Sequence, residues 1–430
     1  MGPSALQIDI ATPSDARPRW SNRVHGIGLR PTILVDDGSR NQQPMIGRLL
    51  AGLVVLIGLT AVAYAGGGWY FANEIHAGAL DAEERRESLA LDPNARIASV
   101  GGGTITLAPI GDEPPPELEA PGLWGLRWAD GYGQLGDIVG RAGAAIERSF
   151  SILQGDPPDP DTPAEIDARA FPDLRTAGVR ARDVSVQGPL GRYPAWFVPG
   201  ERKTWVVVVH GNSMSRLDNV RILPALRDAG YPTLTITYRN DVGAPQDPSG
   251  LLRYGLSEWK DLEAGVGYAI GRGSAGVVLM GVSMGGGVIA AFLERSDLAE
   301  QVRALVLDAP MLDFSATIDD NASRARLPVI GTPLPPGLAA TAKLIARLRW
   351  HVEWGELDYL EHPSTFSMPT LVFHGTRDDV VPIATSDELK RLVPEIQLVR
   401  CPAAGHIECW NVDPTAYESK MISFLDDEIS

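Results

Sequence analysis

The stretch that decides the fold runs from Gly276 to Gly285 and reads Gly-Val-Val-Leu-Met-Gly-Val-Ser-Met-Gly. Its apolar first half predicts a buried strand. The second half sets Ser283 between Gly281 and Gly285, and a Gly-x-Ser-x-Gly sequence at a strand end predicts a sharp strand-to-helix turn. Side chains two residues either side of the serine would clash in that turn, so glycine is needed at both places. We interpret Ser283 as a nucleophile whose hydroxyl is held clear of the backbone.

Two later strand ends supply the partners that a serine nucleophile needs. The apolar run Met368–Phe373 predicts a strand that leads to Asp378, and Ile396–Arg400 predicts another that leads to His406. Serine is a poor nucleophile at neutral pH and needs a base within hydrogen-bond reach. An imidazole can serve as that base, and a carboxylate on its other nitrogen fixes the tautomer and stabilises the imidazolium. The sequence therefore predicts a triad of Ser283, His406 and Asp378.

Other acids and histidines near strand ends have simpler interpretations. Asp308 ends the sixth predicted strand and is the alternative acid, while Asp379 is interpreted as a solvent-exposed or capping residue. His210 and His374 precede glycines in strand-end turns, and we expect them to hold those loops through hydrogen bonds rather than to act as bases.

The motifs together resemble those of the α/β-hydrolases, in the esterase/lipase and prolyl-oligopeptidase-like branch. The resemblance covers residues from about Val179 to Ser430 and rests on the order Ser, Asp, His. It also rests on the segment His374-Gly-Thr-Arg-Asp-Asp-Val-Val-Pro382 and on the final Gly405-His406.

The resemblance implies an α/β fold, with a mostly parallel central sheet, helices on both faces and a helical cap after strand six, at about residues 314–367. A crossover without a gating role is the alternative for that insertion. The insertion contains an amphipathic run from Leu338 to Trp350, which predicts a helix. The implied oxyanion hole consists of the backbone N–H groups of Met284 and Asn212. The implied reaction is hydrolysis of carboxylic esters through an acyl-enzyme, and a peptidase or amidase with the same triad is the alternative. No cofactor or metal is implied.

Composition excludes several other classes of function. The chain has 430 residues, a net charge of −16 and a pI near 4.9, and no basic stripe that could neutralise the phosphates of a nucleic acid. It lacks the spacing of a zinc site, a phosphate-binding loop or a dinucleotide fingerprint. The expected partner is a small-molecule ester or a short peptide.

The N-terminal region predicts a membrane anchor. Residues 1–48 contain six arginines without sustained periodicity and predict a disordered cytoplasmic arm. Leu49–Ala72 then runs for 24 residues without a charge, long enough to span a bilayer as one helix. Arginines precede this run and acidic residues follow it, which puts the N-terminus in the cytoplasm and the catalytic domain outside. A signal peptide cleaved after Ala63-Tyr64-Ala65 and a buried core helix are the alternatives.

Residues 73–178 contain no chemical motif, and we predict an N-terminal extension that adds strands or a cover to the catalytic domain, residues 179–430. Strand-like runs occur at Arg96–Val100, Thr104–Leu107 and Trp124–Trp128.

The two cysteines, Cys401 and Cys409, bracket His406. Export would permit a disulfide between them, and a pair of buried free thiols is the alternative.

Overall fold

The computed structural model describes residues 43–82, 91–111, 114–328 and 330–429. Of the predicted arm, residues 1–48, the first 42 residues lie outside the described part of the chain. The described chain begins with helix α1 (Gln43–Ile75), which is long and apolar enough to cross a membrane. A five-residue π-helical turn, His76–Leu80, follows and is joined to the catalytic unit by a β-bridge between Asp81 and Leu251.

Residues 95–167 form a closed six-stranded barrel of their own. Its strands are β1 (Ala95–Gly101), β2 (Thr104–Pro109), β3 (Trp124–Trp128), β4 (Gly131–Ala142), β5 (Ala145–Gly155) and β6 (Pro163–Asp167), with the short helix α2 (Pro116–Glu119) between β2 and β3. The order around the barrel is β1-β2-β5-β4-β3-β6, and Trp124, Leu126 and Ile105 fill its interior.

The sequence pattern missed half of this barrel. β4 is rich in glycine, and β5 combines apolar residues with Glu147, Arg148 and two serines, so neither alternates cleanly between apolar and polar positions. Register shifts along the pair let these long strands bend and close the barrel. The strands pair only with one another, so within the described chain they add none to the main sheet.

The main sheet has eight strands in the order β14-β13-β12-β11-β9-β10-β8-β7. They are β7 (Arg182–Gly188), β8 (Gly191–Val198), β9 (Trp205–Val209), β10 (Thr233–Ile236), β11 (Val277–Val282), β12 (Val302–Asp308), β13 (Thr370–Gly375) and β14 (Gln397–Cys401). β8 runs antiparallel to both its neighbours, and the remaining pairs are parallel. The predicted α/β fold with a mostly parallel sheet is confirmed.

Helices cover both faces of this sheet. They are α3 (Leu223–Asp228), α4 (Trp259–Gly271), α5 (Met284–Arg295), α8 (Ala384–Leu392), α9 (Cys409–Val412) and α10 (Pro414–Glu428). Alternate strand residues face opposite ways: Val207 packs in the core with α4 and α5, and Val208 packs in the core with α3 and α10. The central parallel strands β9 and β11 are buried along their whole length and are apolar throughout.

The insertion after β12 contains two helices. α6 (Phe314–Arg324) begins it, α7 (Leu338–Trp350) follows a loop, and three short 3-10 turns lead back to β13. The α7 boundaries are those that the amphipathic sequence pattern predicts. α7 packs against the second half of α1 through Phe71, Ala72, Leu338 and Ala342.

Candidate active site

Ser283 lies in a strained turn between β11 and α5. Its backbone has φ 51° and ψ −119°, a conformation that residues with side chains rarely adopt. The two flanking glycines explain how the turn is possible. A Cβ at Gly281 would lie 2.6 Å from Ile289 Cδ1, and one at Gly285 would lie 2.4 Å from the carbonyl oxygen of Val209. Only glycine fits at either place, as the motif predicts.

The three predicted catalytic side chains meet at the carboxyl ends of β11, β13 and β14. His406 Nε2 lies 2.9 Å from Ser283 Oγ, and His406 Nδ1 lies 2.7 Å from Asp378 Oδ2. With Nδ1–H donating to the carboxylate, Nε2 is left to accept the serine proton. Ser283 and His406 are buried, and so is the side chain of Asp378. This is the geometry of a nucleophile, a general base and an orienting acid.

The electrostatics of the histidine–aspartate pair suit that division of roles. Burial raises the pKa of Asp378, but the charge of His406 and hydrogen bonds from His374 and His406 outweigh it and hold the pKa well below its usual range. Burial lowers the pKa of His406, yet the charge and hydrogen bond of Asp378 outweigh it and raise the pKa above its ordinary value. The Oδ1 atom of Asp378 also accepts the N–H groups of Val380 and Val381, at 2.9 and 2.8 Å. The carboxylate therefore stays ionised and fixed.

The alternative acid, Asp308, has a different environment. Its Oδ2 accepts a hydrogen bond of 3.1 Å from the Tyr417 hydroxyl. Burial raises the pKa of its carboxyl, which favours the neutral form. Its backbone carbonyl accepts the Ser283 N–H at 2.9 Å. Asp308 thus braces the turn through its backbone, and Asp378 is the carboxylate in contact with the base.

The loop after β9 lies directly against the serine. A Cβ at Gly211 would approach Ser283 Cβ to 2.9 Å, so the neighbouring backbone runs past the nucleophile. Asn212 follows there, and its side-chain Nδ2 donates to the Tyr254 hydroxyl at 3.3 Å. Met284 is the first residue of α5, and the backbone N–H groups of a first helical turn project outward from the N-terminus of the helix. The two predicted oxyanion donors therefore flank Ser283 on separate elements.

The other two strand-end histidines hold loops, as expected. His210 Nε2 bonds Asp241 Oδ2 at 2.8 Å. His374 Nδ1 bonds Ser386 Oγ at 2.8 Å, and its Nε2 lies 3.0 Å from the carbonyl oxygen of Val381. Neither ring contacts the serine. Among the described residues, no group of three or more His, Cys, Asp or Glu side chains is arranged to hold a metal ion.

Residues 206–419 match the family model described as the alpha/beta hydrolase family. The chain belongs to the α/β-hydrolase family. Membership supports a hydrolase that acts on small-molecule substrates.

Solved structures of this fold resemble the hydrolase at low identity. The esterase Pf2001 of Pyrococcus furiosus is 19% identical with a TM-score of 0.48, over 60% of this chain and 96% of the esterase. A puromycin-hydrolyzing peptidase of Mycobacterium tuberculosis is 15% identical with a TM-score of 0.47, over 77% of this chain and 47% of the peptidase. No curated protein sequence matches the chain.

The His406 loop of the hydrolase is tied to the barrel by residues that sequence reasoning missed. Asn411 Nδ2 donates to the carbonyl oxygens of Leu123 and Ala168, at 2.9 and 2.8 Å. Arg221 donates to Asn411 Oδ1 at 2.5 Å and to the carbonyl oxygen of Ile407 at 2.8 Å. Asn411 is fully buried. No local pattern marks these residues, because their partners lie far away in the chain.

Glu408, two residues after the base, is a second group that the sequence did not single out. Its Oε2 accepts the Gly405 N–H at 2.7 Å. Burial raises the pKa of this carboxyl to about 7, and the Gly405 hydrogen bond opposes that rise. The neutral acid is therefore favoured over much of the range in which histidine titrates.

Cys401 and Cys409 form a disulfide in the structure, with their Cα atoms 5.5 Å apart. The bridge closes the loop that carries His406. The barrel contacts and the disulfide thus hold the same segment.

Proposed function

We propose that the protein is a serine hydrolase that cleaves carboxylic esters through an acyl-enzyme. The observation that carries the proposal is the continuous hydrogen-bonded chain from Ser283 Oγ through His406 to Asp378. Membership of the α/β-hydrolase family supports the same reaction class.

In this reaction His406 Nε2 takes the proton of Ser283 as the serine oxygen attacks the ester carbonyl. Asp378 keeps the imidazole oriented and stabilises the imidazolium. The backbone N–H groups of Met284 and Asn212 stabilise the negative oxygen of the tetrahedral intermediate. The imidazolium then protonates the leaving alcohol. Water, activated by the same histidine, releases the acid from the serine.

The activity is tested by labelling the full chain with a fluorophosphonate probe and assaying two substrate series. We expect covalent labelling at Ser283, turnover of p-nitrophenyl esters and much slower turnover of aminoacyl p-nitroanilides. Faster cleavage of the anilides would reassign the protein as a peptidase or amidase. Absence of labelling in folded protein would refute the serine mechanism.

We further propose that α1 anchors the protein in the cell membrane, with the catalytic domain outside the cytoplasm. The length and apolar composition of α1 support the span, and the arginines before it support the orientation. A phosphatase reporter fused after Ser430 should be active only outside the cytoplasm, and the protein should resist carbonate extraction. A soluble product that begins at Gly66 would instead indicate a cleaved signal peptide.

A further inference from the structure

The outer part of the insertion after β12 lies alongside the proposed membrane helix. α7 runs in the same direction as α1: Tyr64 Oη donates to the carbonyl oxygen of Pro336 at 2.8 Å, and twelve residues along α1 the His76 ring stacks on Trp350 at 4.5 Å. The approach is close because α1 has glycine there. A Cβ at Gly68 would lie 2.5 Å from Thr341 Cγ2. The two helices therefore form one packed unit.

The length of α1 that is clear of this unit is too short to span a bilayer. Every residue from Leu49 to Ala63 is exposed. These fifteen residues rise by about 22 Å at ~1.5 Å each, whereas the hydrocarbon core is about 30 Å thick. Arg48 marks the cytoplasmic boundary. The remaining distance of about 8 Å has to be covered by the next turn and a half of the helix.

That next segment, Tyr64–Gly68, is the one that contacts the insertion. Its partners are Pro336, Leu338 and Thr341. When Tyr64–Gly68 lies in hydrocarbon, the start of α7 and the loop before it lie at the same depth.

The side chains that the insertion presents from this level outward are apolar and exposed. Leu344 and Leu348 lie about 5 and 10 Å beyond Thr341 along α7, which is the depth of the lipid headgroups. We define the outer cap face as Ile330, Ala340, Leu344 and Leu348. The last three residues recur every four positions and so share one side of α7. Ile330 and Leu348 are each 70% exposed, and Leu344 is 55% exposed. Exposed leucines on one side of a helix, such as Leu344 and Leu348, mark an interaction surface.

The charges around the outer cap face suit a negatively charged lipid surface. Residues 321–350 contain five basic residues and no acidic residue. Arg324, Lys343 and Arg347 pair with Asp320, Asp319 and Glu353, so the five basic and three acidic residues together carry a net charge of +2. The Arg349 guanidinium lies 3.9 Å from the Trp69 ring centroid and 4.2 Å from that of Trp350. Tryptophan and arginine at one level are typical of a membrane–water interface.

We propose that the outer cap face is immersed in the outer leaflet of the bilayer that α1 spans. The proposal rests on the proposed anchoring by α1. It follows from the exposed apolar residues that α1 and α7 present side by side and from the arginines beside them. An ester dissolved in the leaflet would then meet the insertion without first entering water.

Depth measurements on the full chain in nanodiscs of phosphatidylcholine and phosphatidylglycerol test this directly. Ile330→Cys and Leu348→Cys variants carry a nitrobenzoxadiazole label. Leu53→Cys serves as the reference within α1, and Val139→Cys serves as the exposed apolar reference on the barrel. The native cysteines are joined to each other. Turnover of a water-soluble p-nitrophenyl ester shows that each variant is folded.

We expect lipids with a nitroxide in the headgroup to quench the Ile330 and Leu348 labels, lipids with a nitroxide in the acyl chain to quench the Leu53 label, and aqueous iodide to quench only the Val139 label. Iodide quenching of the Ile330 and Leu348 labels, with Leu53 quenched by lipid, would overturn this inference and leave the anchor intact. Shielding of both labels from lipid and iodide alike would indicate a second copy of the chain on this face and would also overturn it. Iodide quenching of Leu53 would refute the anchor and the inference together.

Discussion

The turn that carries Ser283 is held by elements of the main sheet that pack directly against it. The loop that carries His406 is held by residues of the barrel region and of the segment before α3. In the turn, Gly281 and Gly285 allow the close approach of β9 and α5, and the backbone of Asp308 on the adjacent strand accepts the Ser283 N–H. The turn is therefore part of the sheet, and the two glycines within two positions of the serine permit its conformation.

The His406 loop depends on distant parts of the chain. Arg221 comes from the segment before α3, and Leu123 and Ala168 belong to the barrel region. The disulfide closes the base of the loop. The comparison teaches that the nucleophile is protected from remote changes, while the base can be displaced by substitutions that never touch the active site. The five predictions below test that difference.

Ser283→Ala should have the largest effect, because it removes the attacking atom itself. We expect kcat/KM for a p-nitrophenyl ester to fall by about four orders of magnitude or more, with an unchanged melting temperature. Ser323→Ala on the exposed surface of α6 is the matched control and should be neutral. Retention of more than about a tenth of the activity would contradict the role of Ser283.

Asp378→Asn should cost about four orders of magnitude in kcat, because the amide favours the wrong imidazole tautomer. Asp308→Asn and Asp379→Asn, measured in parallel, should cost far less. The raised pKa of His406 also predicts that wild-type activity falls as the pH decreases, with a midpoint above about pH 6.5, because only the neutral imidazole can act as the base. In Asp378→Asn this midpoint should move to lower pH. If Asp308→Asn is the more damaging change, the catalytic acid is Asp308 at the end of β12 rather than Asp378.

Asn411→Ala should show that the barrel positions the base. The substitution removes the hydrogen bonds to the carbonyl oxygens of Leu123 and Ala168. Ala168 keeps the hydrogen bond of 2.9 Å from Arg221, so the cost of about 1–3 kcal/mol falls mainly on the half-buried Leu123 carbonyl. We expect kcat to fall by about 10- to 100-fold in protein that remains folded.

Asn94→Ala is the matched control for this change. Its side chain accepts the Ile166 N–H within the barrel and makes no contact with the His406 loop. It should lower the melting temperature without lowering kcat. Equal losses of kcat in both variants would mean that general destabilisation, rather than positioning, explains the effect.

Glu408→Gln should change the pH dependence of stability. With its pKa raised to about 7, the Glu408 carboxyl contributes stability that is full below its unfolded pKa and is lost as the pH rises through the folded value. The free energy of unfolding of the wild type should therefore fall by up to about 3 kcal/mol between about pH 5 and 8, and the fall should be smaller in Glu408→Gln. The glutamine oxygen can still accept the Gly405 N–H. Urea unfolding at several pH values measures the effect, and parallel curves for the two proteins would contradict it.

Opening the disulfide should lower stability and activity modestly. Closing so short a loop contributes about 2–3 kcal/mol in the chain-entropy model. Reductant should lower esterase activity before the domain unfolds, and Cys401→Ser should reproduce that loss. Two free thiols in unreduced protein purified from the membrane would contradict the pairing.

The strands of the main sheet could be predicted because each is marked by a pattern within a short stretch of sequence. Each buried strand is a short apolar run, and each predicted catalytic residue follows such a run within a few positions. The α7 helix, Leu338–Trp350, was predicted at both ends for the same reason: its apolar positions repeat at the period of a helix. The prediction of an α/β-hydrolase is confirmed.

The barrel was not predictable in this way. Its long strands β4 and β5 contain glycines and charges that a curved, bulged strand tolerates and that a simple alternating pattern excludes. Nothing in the sequence around Asn411 indicates that its side chain bonds the barrel, because Leu123 lies 288 positions away.

The sequence by itself determined the turn at Ser283, the strand order of the three catalytic groups and the presence of one long apolar helix. All three depend on sterics or periodicity within about ten residues. Only the tertiary structure decided that the barrel braces the His406 loop and that α7 lies along α1. Those contacts join surfaces whose residues are hundreds of positions apart, and their free energy depends on shape and burial that exist only after the chain has folded.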